Sequence, residues 1–564
     1  MVVGAVVDAC FPEPSTPSAE VPEHPLATAA STANAPRTLR RPPNDIWSSL
    51  PHEDGNSREA VAASNRRPPG TLTPVSVVPP AVLVPPPFSR RLFAVALVLA
   101  TLFALAIGYK QEVPEILSPL AAVAVVAVFG LWFGSSFWPA LVGLFMLRTS
   151  MDAFKVTSGT NGLDPGSAIG AIFVLAAVLW LLAQRRAGRL RPVSGVVTAI
   201  CVFAAAAVLS APGSRMLSVS LPSALKVVSI ALMAIVLDQV FRQSPDRIRT
   251  MVTAMVVSLL VPTVSSFGQL MKGLPYENVY SGYGRARGTF THPNPLATYL
   301  VSMCLLCAAL LPHVFARARA TKRRGELLVL LVALGAALAT LYLTYSRGAW
   351  IALVIGVAAV GLLQNRNVLY GMVAVIMVML IAVPSTLDRF SDLTKANEVS
   401  IGQGDPNSLA WRVRYWGEIL PYWQRSPLTG IGPEMVRNTQ PTGFDPHNSF
   451  LQALIEMGVV GLGAFLAVLV TIAVSLRRAL KRNRAPGLDR ALCVAAASMC
   501  TAVLVQLPTE NILVSAINWW YVLPIVIWAS LGTTAVFAPD LPDVEAQNGD
   551  ESADGKVANA AVAR

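Results

Sequence analysis

Apolar runs of about 20 residues recur from roughly residue 89 to residue 537, and a helix of that length is what crosses the hydrocarbon core of a bilayer. Counting short and tilted helices, about fourteen segments can be placed, centred near 100, 125, 141, 175, 202, 232, 258, 303, 335, 356, 376, 462, 498 and 526. The pattern predicts an all-α polytopic membrane protein with about 12–14 transmembrane helices. Composition agrees: 54% of the 564 residues are hydrophobic and 13% charged, with a mean hydropathy of +0.55, whereas about a quarter of a soluble domain is charged. The segments centred near 125 and 141 are short enough to form one re-entrant pair.

The flanks differ in kind. Residues 1–88 are rich in Pro, Ser, Ala and charge and lack a sustained apolar period, which predicts a disordered cytoplasmic tail. The opening Met1–Val7 lacks the basic flank of a signal peptide, so the first span is expected to act as the signal-anchor. Residues 538–564 carry Asp540, Asp543, Glu545, Asp550, Glu551 and Asp554 and read as a disordered acidic cytoplasmic tail. The net charge of +12 lies in short basic clusters between apolar runs rather than in a nucleic-acid motif, so no nucleic-acid partner is expected. Cys304 and Cys307 share a predicted membrane helix, where small-residue packing is favoured over metal or redox work.

With Arg90 and Arg91 inside, the clusters at Arg185–Arg191, Arg242–Arg249, Arg317–Arg324 and Arg477–Arg484 all fall on one side, which predicts a cytoplasmic N-terminus. Two long polar connections then lie on the outer face, at about 269–293 and 385–447, the second before the twelfth predicted span. They carry Arg285, Arg287, Arg412, Arg414, Arg425 and Arg437, which orientation does not explain.

The first connection ends in Gly284-Arg285-Ala286-Arg287-Gly288 and then His292-Pro293-Asn294-Pro295. Asn294 suits an N-cap and Pro295 a first helical residue, so a helix end able to attract anions is expected here. Arg285 and Arg287 can offer planar forks to phosphate, and Gly288 can let backbone approach a ligand; the alternative is a capped helix with arginines on lipid headgroups. Ser346-Arg347-Gly348-Ala349-Trp350 marks a brief break between spans, with Arg347 either snorkelling or joining the same anion site. The large connection supplies Trp411-Arg412-Val413-Arg414-Tyr415-Trp416 and Pro427-Leu428-Thr429-Gly430-Ile431-Gly432. Aromatic rings there suit sugar faces or the membrane interface equally.

The segment from Asp445 to Gly458 re-enters the membrane as a helix, with Asn448, Gln452 and Glu456 on one face. Glu456, about 13 Å along that helix from His447, either ties helices together or acts chemically. His447 sits at the helix mouth beside Asp445, which can hold its tautomer, and imidazole suits proton transfer near neutrality. His292 and His447 are the two histidines placed for outer-face chemistry.

This ordered set resembles the O-antigen ligase and Wzy-type polymerase superfamily over about residues 250–480: Arg285-x-x-Gly288 before Pro293-Asn294, Ser346-Arg347-Gly348-Ala349-Trp350, Arg412 four before Trp416, Pro427–Gly432, His447-Asn448-Ser449 and Glu456-x-Gly458. The resemblance implies a GT-C-like membrane glycosyltransferase needing no metal or other cofactor. Its donor would be an undecaprenyl-diphosphate-linked glycan, and its acceptor a glycan or lipid-linked glycan. Membrane lipids and other polysaccharide-export proteins are the further partners implied. Catalytic roles would fall on His447, Arg347 and Arg285; Arg287, Asn294, Arg412, Arg414, Trp416 and Glu456 are the candidates for holding substrate. The loop acids Asp388, Asp392 and Asp405 leave a metal open. Polymerase is favoured over ligase; a flippase would instead put polar breaks at mid-membrane in two related halves, and a cell-wall transferase would use a loop carboxylate in place of His447.

Overall fold

A computed structural model describes residues 127–154, 165–273, 276–277, 284–322, 324–364, 409–440, 443–513 and 516–532, with a few positions between 366 and 377. Its helices are α1 (Phe137–Leu147), α2 (Pro165–Arg186), α3 (Gly195–Ser210), α4 (Leu217–Gln243), α5 (Arg247–Val257) and α6 (Leu260–Lys272). After a hairpin of two-residue strands, β1 (Tyr276–Glu277) and β2 (Gly284–Arg285), come α7 (Pro293–Thr321), α8 (Gly325–Leu343) and α9 (Arg347–Leu363). The chain ends in α10 (Leu409–Ile419), α11 (Pro421–Gln424), α12 (Met435–Thr439), α13 (Ser449–Arg482), α14 (Leu488–Gln506) and α15 (Ala516–Leu531).

Among the described residues, 8 helices are long and apolar enough to cross a membrane, α5 and α6 counting as one interrupted span, and Arg347–Leu363 and Asn518–Leu531 are shorter apolar helices. The molecule is an all-α, multi-pass membrane protein. Of the expected segments near 125 and 141, the described residues 127–135 and Phe137–Leu147 are helical on either side of Ser136. Those near 100 and 376, the two tails, and residues 378–408 of the large connection lie wholly or mostly outside the described residues.

Burial follows what lipid allows. Leu179, Leu328, Val332 and Val470 stay exposed, as lipid-facing side chains do, while the helices meet through Ala206, Ala207, Ala231, Ala234, Ala495 and Ala496. Cys304 and Cys307 are buried and unbridged in that packing. Aromatic rings of α1, α7 and α15 interlock, with Tyr299 edge-on to Tyr521 at 4.8 Å. The basic last turns of α2, α4, α7 and α13 follow from alternating helix directions and share one end of the bundle; 284–294, 343–347, 409–447 and 507–513 occupy the other.

Helix α13 is broken at Gly458 (φ 66°, ψ −168°). A break there strips two hydrogen bonds from the helix, which would leave the carbonyls of Ile455 and Glu456 and the amides of Val459 and Val460 unpaired in an apolar setting. The turn Pro427–Gly432 lies in the gap and replaces both. Ile431 and Gly432 donate to the carbonyls of Ile455 and Glu456 at 3.0 and 2.9 Å, and Val459 and Val460 donate to those of Pro427 and Leu428 at 2.9 and 3.3 Å. The approach is close: a Cβ on Gly458 would lie 2.2 Å from the Leu428 carbonyl oxygen, and one on Gly430 2.3 Å from the Glu456 backbone.

Candidate functional site

The turn before α7 is set by Gln269 near the end of α6. Its side-chain oxygen accepts from the amides of Arg287 (3.1 Å) and Gly288 (2.9 Å), and its nitrogen donates to the Gly288 carbonyl at 2.7 Å. Gly288 takes φ +55°, and a Cβ there would meet the Pro262 carbonyl oxygen at 2.8 Å. The expected close approach to a ligand is therefore corrected: the backbone of Gly288 closes on α6. Helix α7 also begins two residues earlier than expected. Pro293, lacking an N–H, suits the first turn, and His292 caps it, its Nδ1 accepting from the Asn294 amide at 3.1 Å. That releases the Asn294 side chain from capping.

Arg285, buried, then bridges three segments. Its Nε donates to the Thr344 carbonyl at 2.8 Å and its terminal nitrogen to Asn294 Oδ1 at 2.7 Å. The Asn294 amide nitrogen lies 3.2 Å from each carboxylate oxygen of Glu510. Glu510 belongs to the turn between α14 and α15, which Ser449 pins: its hydroxyl donates to the Glu510 carbonyl at 2.7 Å and accepts from the Ile512 amide at 3.1 Å. Arg412, on α10, donates to the Thr509 carbonyl of the same turn at 2.8 Å. Arg347 opens α9 next to it, since a methyl placed on Gly348 would stand 3.8 Å from Thr509 Oγ1.

His447 completes the group. Its Nδ1 lies 3.3 Å from the side-chain nitrogen of Asn511, so the residue orienting the ring is Asn511, where Asp445 was expected. The backbone of His447 is left-handed (φ 49°), as are those of Tyr345 (φ 49°) and Glu434 (φ 58°). Such conformations cost about 1–3 kcal/mol each and gather where surroundings impose them. Here α10 imposes it: Trp416 donates to the Pro446 carbonyl and the Tyr415 hydroxyl to that of Phe444, both at 2.7 Å. Trp416 thus grips the segment that carries His447.

Burial and then the Arg412 guanidinium, with a smaller contribution from His292, push the His447 imidazole down to about 3. Burial and Arg285 do the same to His292, also to about 3. Both rings are neutral at neutral pH, and each is an acceptor beside one guanidinium, Arg412 for His447 and Arg285 for His292. Burial raises the Glu510 carboxyl above its usual range, opposed by Arg412, the Asn294 hydrogen bond and Arg285.

Of the expected residues, Arg285, Asn294, Arg347, Arg412, Trp416 and His447 are brought to one cluster at the end of the bundle opposite the basic helix ends. Arg414 is exposed on the other face of α10, and Arg287 contributes its backbone amide to the Gln269 clamp. Glu456 lies deeper, its carboxylate accepting from Gln452 Nε2 at 3.1 Å and the Val436 amide at 3.4 Å. It therefore sits in the structural tie that holds the 427–436 turn to α13. Glu510 and Asn511 were missed; the polar triplet Thr509-Glu510-Asn511 after Pro508, between the last two apolar runs, was the available signal. Among the described residues no three His, Cys, Asp or Glu side chains are grouped as a metal requires, and Asp388, Asp392 and Asp405 lie outside those residues.

The fold and this cluster define a multi-pass helical membrane protein whose arginines, histidines and carboxylate converge on the end opposite its basic clusters. Residues 328–466 match the family model described as O-antigen ligase (Wzy_C), a domain that supports a likeness to the O-antigen ligase/polymerase superfamily. The match takes in Arg347, Arg412, Trp416, His447 and Glu456; Arg285 and Asn294 precede it, and Glu510 and Asn511 follow it. An O-antigen ligase-type, glycan-handling function in the membrane goes with this domain, and with it a glycosyltransferase-like enzyme. No curated protein matches the chain.

Proposed function

We propose that this protein transfers glycan from a polyprenyl-diphosphate carrier to a hydroxyl acceptor at the outer face of the inner membrane, and that it acts as a polymerase. The observation that carries the reading is the bonded series Thr344–Arg285–Asn294–Glu510 beside Asn511–His447 and Arg412, which gathers anion-binding and proton-accepting groups at one end of the bundle. The basic helix ends at the opposite side support an outer-face location.

In this reading Arg285, Arg347 and Arg412 hold the diphosphate, as planar, permanently charged forks do. The acceptor oxygen attacks the anomeric carbon, the bond to the diphosphate oxygen breaks, and the proton passes to His447. Burial, and after it the Arg412 guanidinium facing the imidazole, disfavours that proton before donor binds. A bound diphosphate offsets the arginine charge and so raises the basicity of His447 only when donor is present. Glu510 holds Asn294 and balances the arginines between turnovers. The family model's description, O-antigen ligase, is what supports the second reading, delivery of finished glycan to a final acceptor.

Glycan extracted from cells carrying wild type, a deletion, His447→Ala or Arg347→Ala, with the lipid-linked pool measured alongside, separates these. Loss of long polymer with accumulation of single lipid-linked repeats is expected; accumulated full-length lipid-linked polymer identifies a ligase. Normal glycan from both point variants at normal protein levels overturns the assignment. A purified assay should give His447→Ala roughly 10²–10⁴-fold less transfer.

A further inference from the structure

A cavity of about 580 Å³ lies between α13, α14 and α15 and reaches Ile512, next to Asn511 at the edge of the His447 cluster. Helix α13, broken at Gly458, has 34 residues and α14 has 19, and the two are pinned together at both ends. At one end Ser449 donates its amide to the Leu507 carbonyl at 2.8 Å; at the other Arg490 donates to the Leu480 carbonyl at 2.9 Å. Between these ties the space is lined by apolar side chains such as Leu476, Leu504 and Val522.

Its basic end is unlike the rest. Arg477, Lys481 and Arg484 line the cavity there, all exposed, and no ion pair among the described residues involves them. Arg490 lines it too but is spent on backbone carbonyls of Leu480, Asn483 and Leu363. Asp489, at the same end, is not among the lining residues. A long apolar groove with three uncompensated cations at one mouth complements an amphiphile with an anionic head and acyl chains.

We propose that this groove binds an anionic phospholipid of the leaflet at the basic end, with the phosphate among Arg477, Lys481 and Arg484 and an acyl chain between α13 and α14. The phosphate end of the site lies at the end of the bundle opposite the His447 cluster, and the proposal does not depend on the transfer reaction assigned to that cluster. Seated there, the lipid fills the gap behind α13, the helix that also carries the Gly458 break and begins next to His447.

The test is native mass spectrometry of the full chain titrated with phosphatidylglycerol or with phosphatidylcholine of the same chains. Wild type is expected to retain phosphatidylglycerol preferentially. The triple variant Arg477→Gln/Lys481→Gln/Arg484→Gln should bind it roughly a hundredfold more weakly, and Ala497→Phe, which fills the groove, should lose both lipids. Arg185→Gln/Arg186→Gln/Arg189→Gln, an equal charge loss elsewhere at the same end, and His447→Ala should bind like wild type. Equal retention of the two lipids, or wild-type binding by the Arg477 triple, overturns the proposal. So does displacement of phosphatidylglycerol by undecaprenyl phosphate that the triple does not weaken, since the groove then belongs to the polyprenyl chain.

Discussion

At the scale of single residues, the titration of His292 and His447 is the most accessible consequence of their burial. Each holds its proton less well when folded, about 3 against an ordinary 6.5, so between those values the unfolded chain binds more protons. Stability is therefore fully present above about pH 6.5 and falls as the pH drops below it. The unfolding midpoint in detergent should decrease from pH 7 to pH 5, and His292→Gln/His447→Gln should flatten that decrease; an unchanged slope would show that other groups set it. Gly458→Ala should destabilise by about 3 kcal/mol or more, because only glycine adopts its backbone conformation without strain and the added methyl meets Leu428, readable as a lowered thermal midpoint. Motif spacing alone singled out His447, Arg285 and Arg412 because charged or titratable groups beside apolar runs are conspicuous. It gave no means of assigning partners. Asn511 in place of Asp445, and the freeing of Asn294 by the His292 cap, depend on which turns meet in space, and Glu510 lies more than 200 residues from the asparagine it binds.

At the scale of elements, the helices could be read from apolar runs because lipid demands internal hydrogen bonding, and the start of α13 was marked by the Asn448 cap, whose oxygen accepts from Phe450 and Leu451 at 3.0 and 3.1 Å. The breaks were harder to foresee. Nothing in the apolar pattern of α13 marks Gly458 as an interruption, and the Pro427–Gly432 motif, conspicuous in sequence, owes its glycines to contact with that helix. The Arg287–Gly288 turn is a similar dependent element, held by one side chain of α6. Gln269→Ala leaves the part-buried Arg287 amide and the buried amide and carbonyl of Gly288 without that partner and should cost about 1–3 kcal/mol. Since Arg285 is two residues away, transfer should fall alongside the thermal midpoint. Full transfer with a lowered midpoint would show that the turn stabilises the fold without positioning the arginine.

At the scale of the whole molecule, the alternation of helices and the sidedness of basic clusters were available from the sequence, since both follow from the bilayer as solvent. The groove was not, because it lies between three helices whose mutual packing the apolar runs do not specify. Orientation is testable on a cysteine-free background: a cysteine at Arg437 should react with an impermeant maleimide added to spheroplasts, and one at Arg484 only after permeabilisation. The opposite result would invert the topology and place the His447 cluster in the cytoplasm. The spliced helix also has a consequence for biogenesis. Residues 427–432 leave the ribosome before residues 455–460, yet each segment supplies the hydrogen bonds that the other needs. The turn must wait, unpartnered, for the helix to emerge, and the helix cannot settle into lipid until the turn reaches it. Insertion of this span and closure of the segment bearing His447 are thereby one event in synthesis, and a nascent chain halted short of Val460 would hold neither.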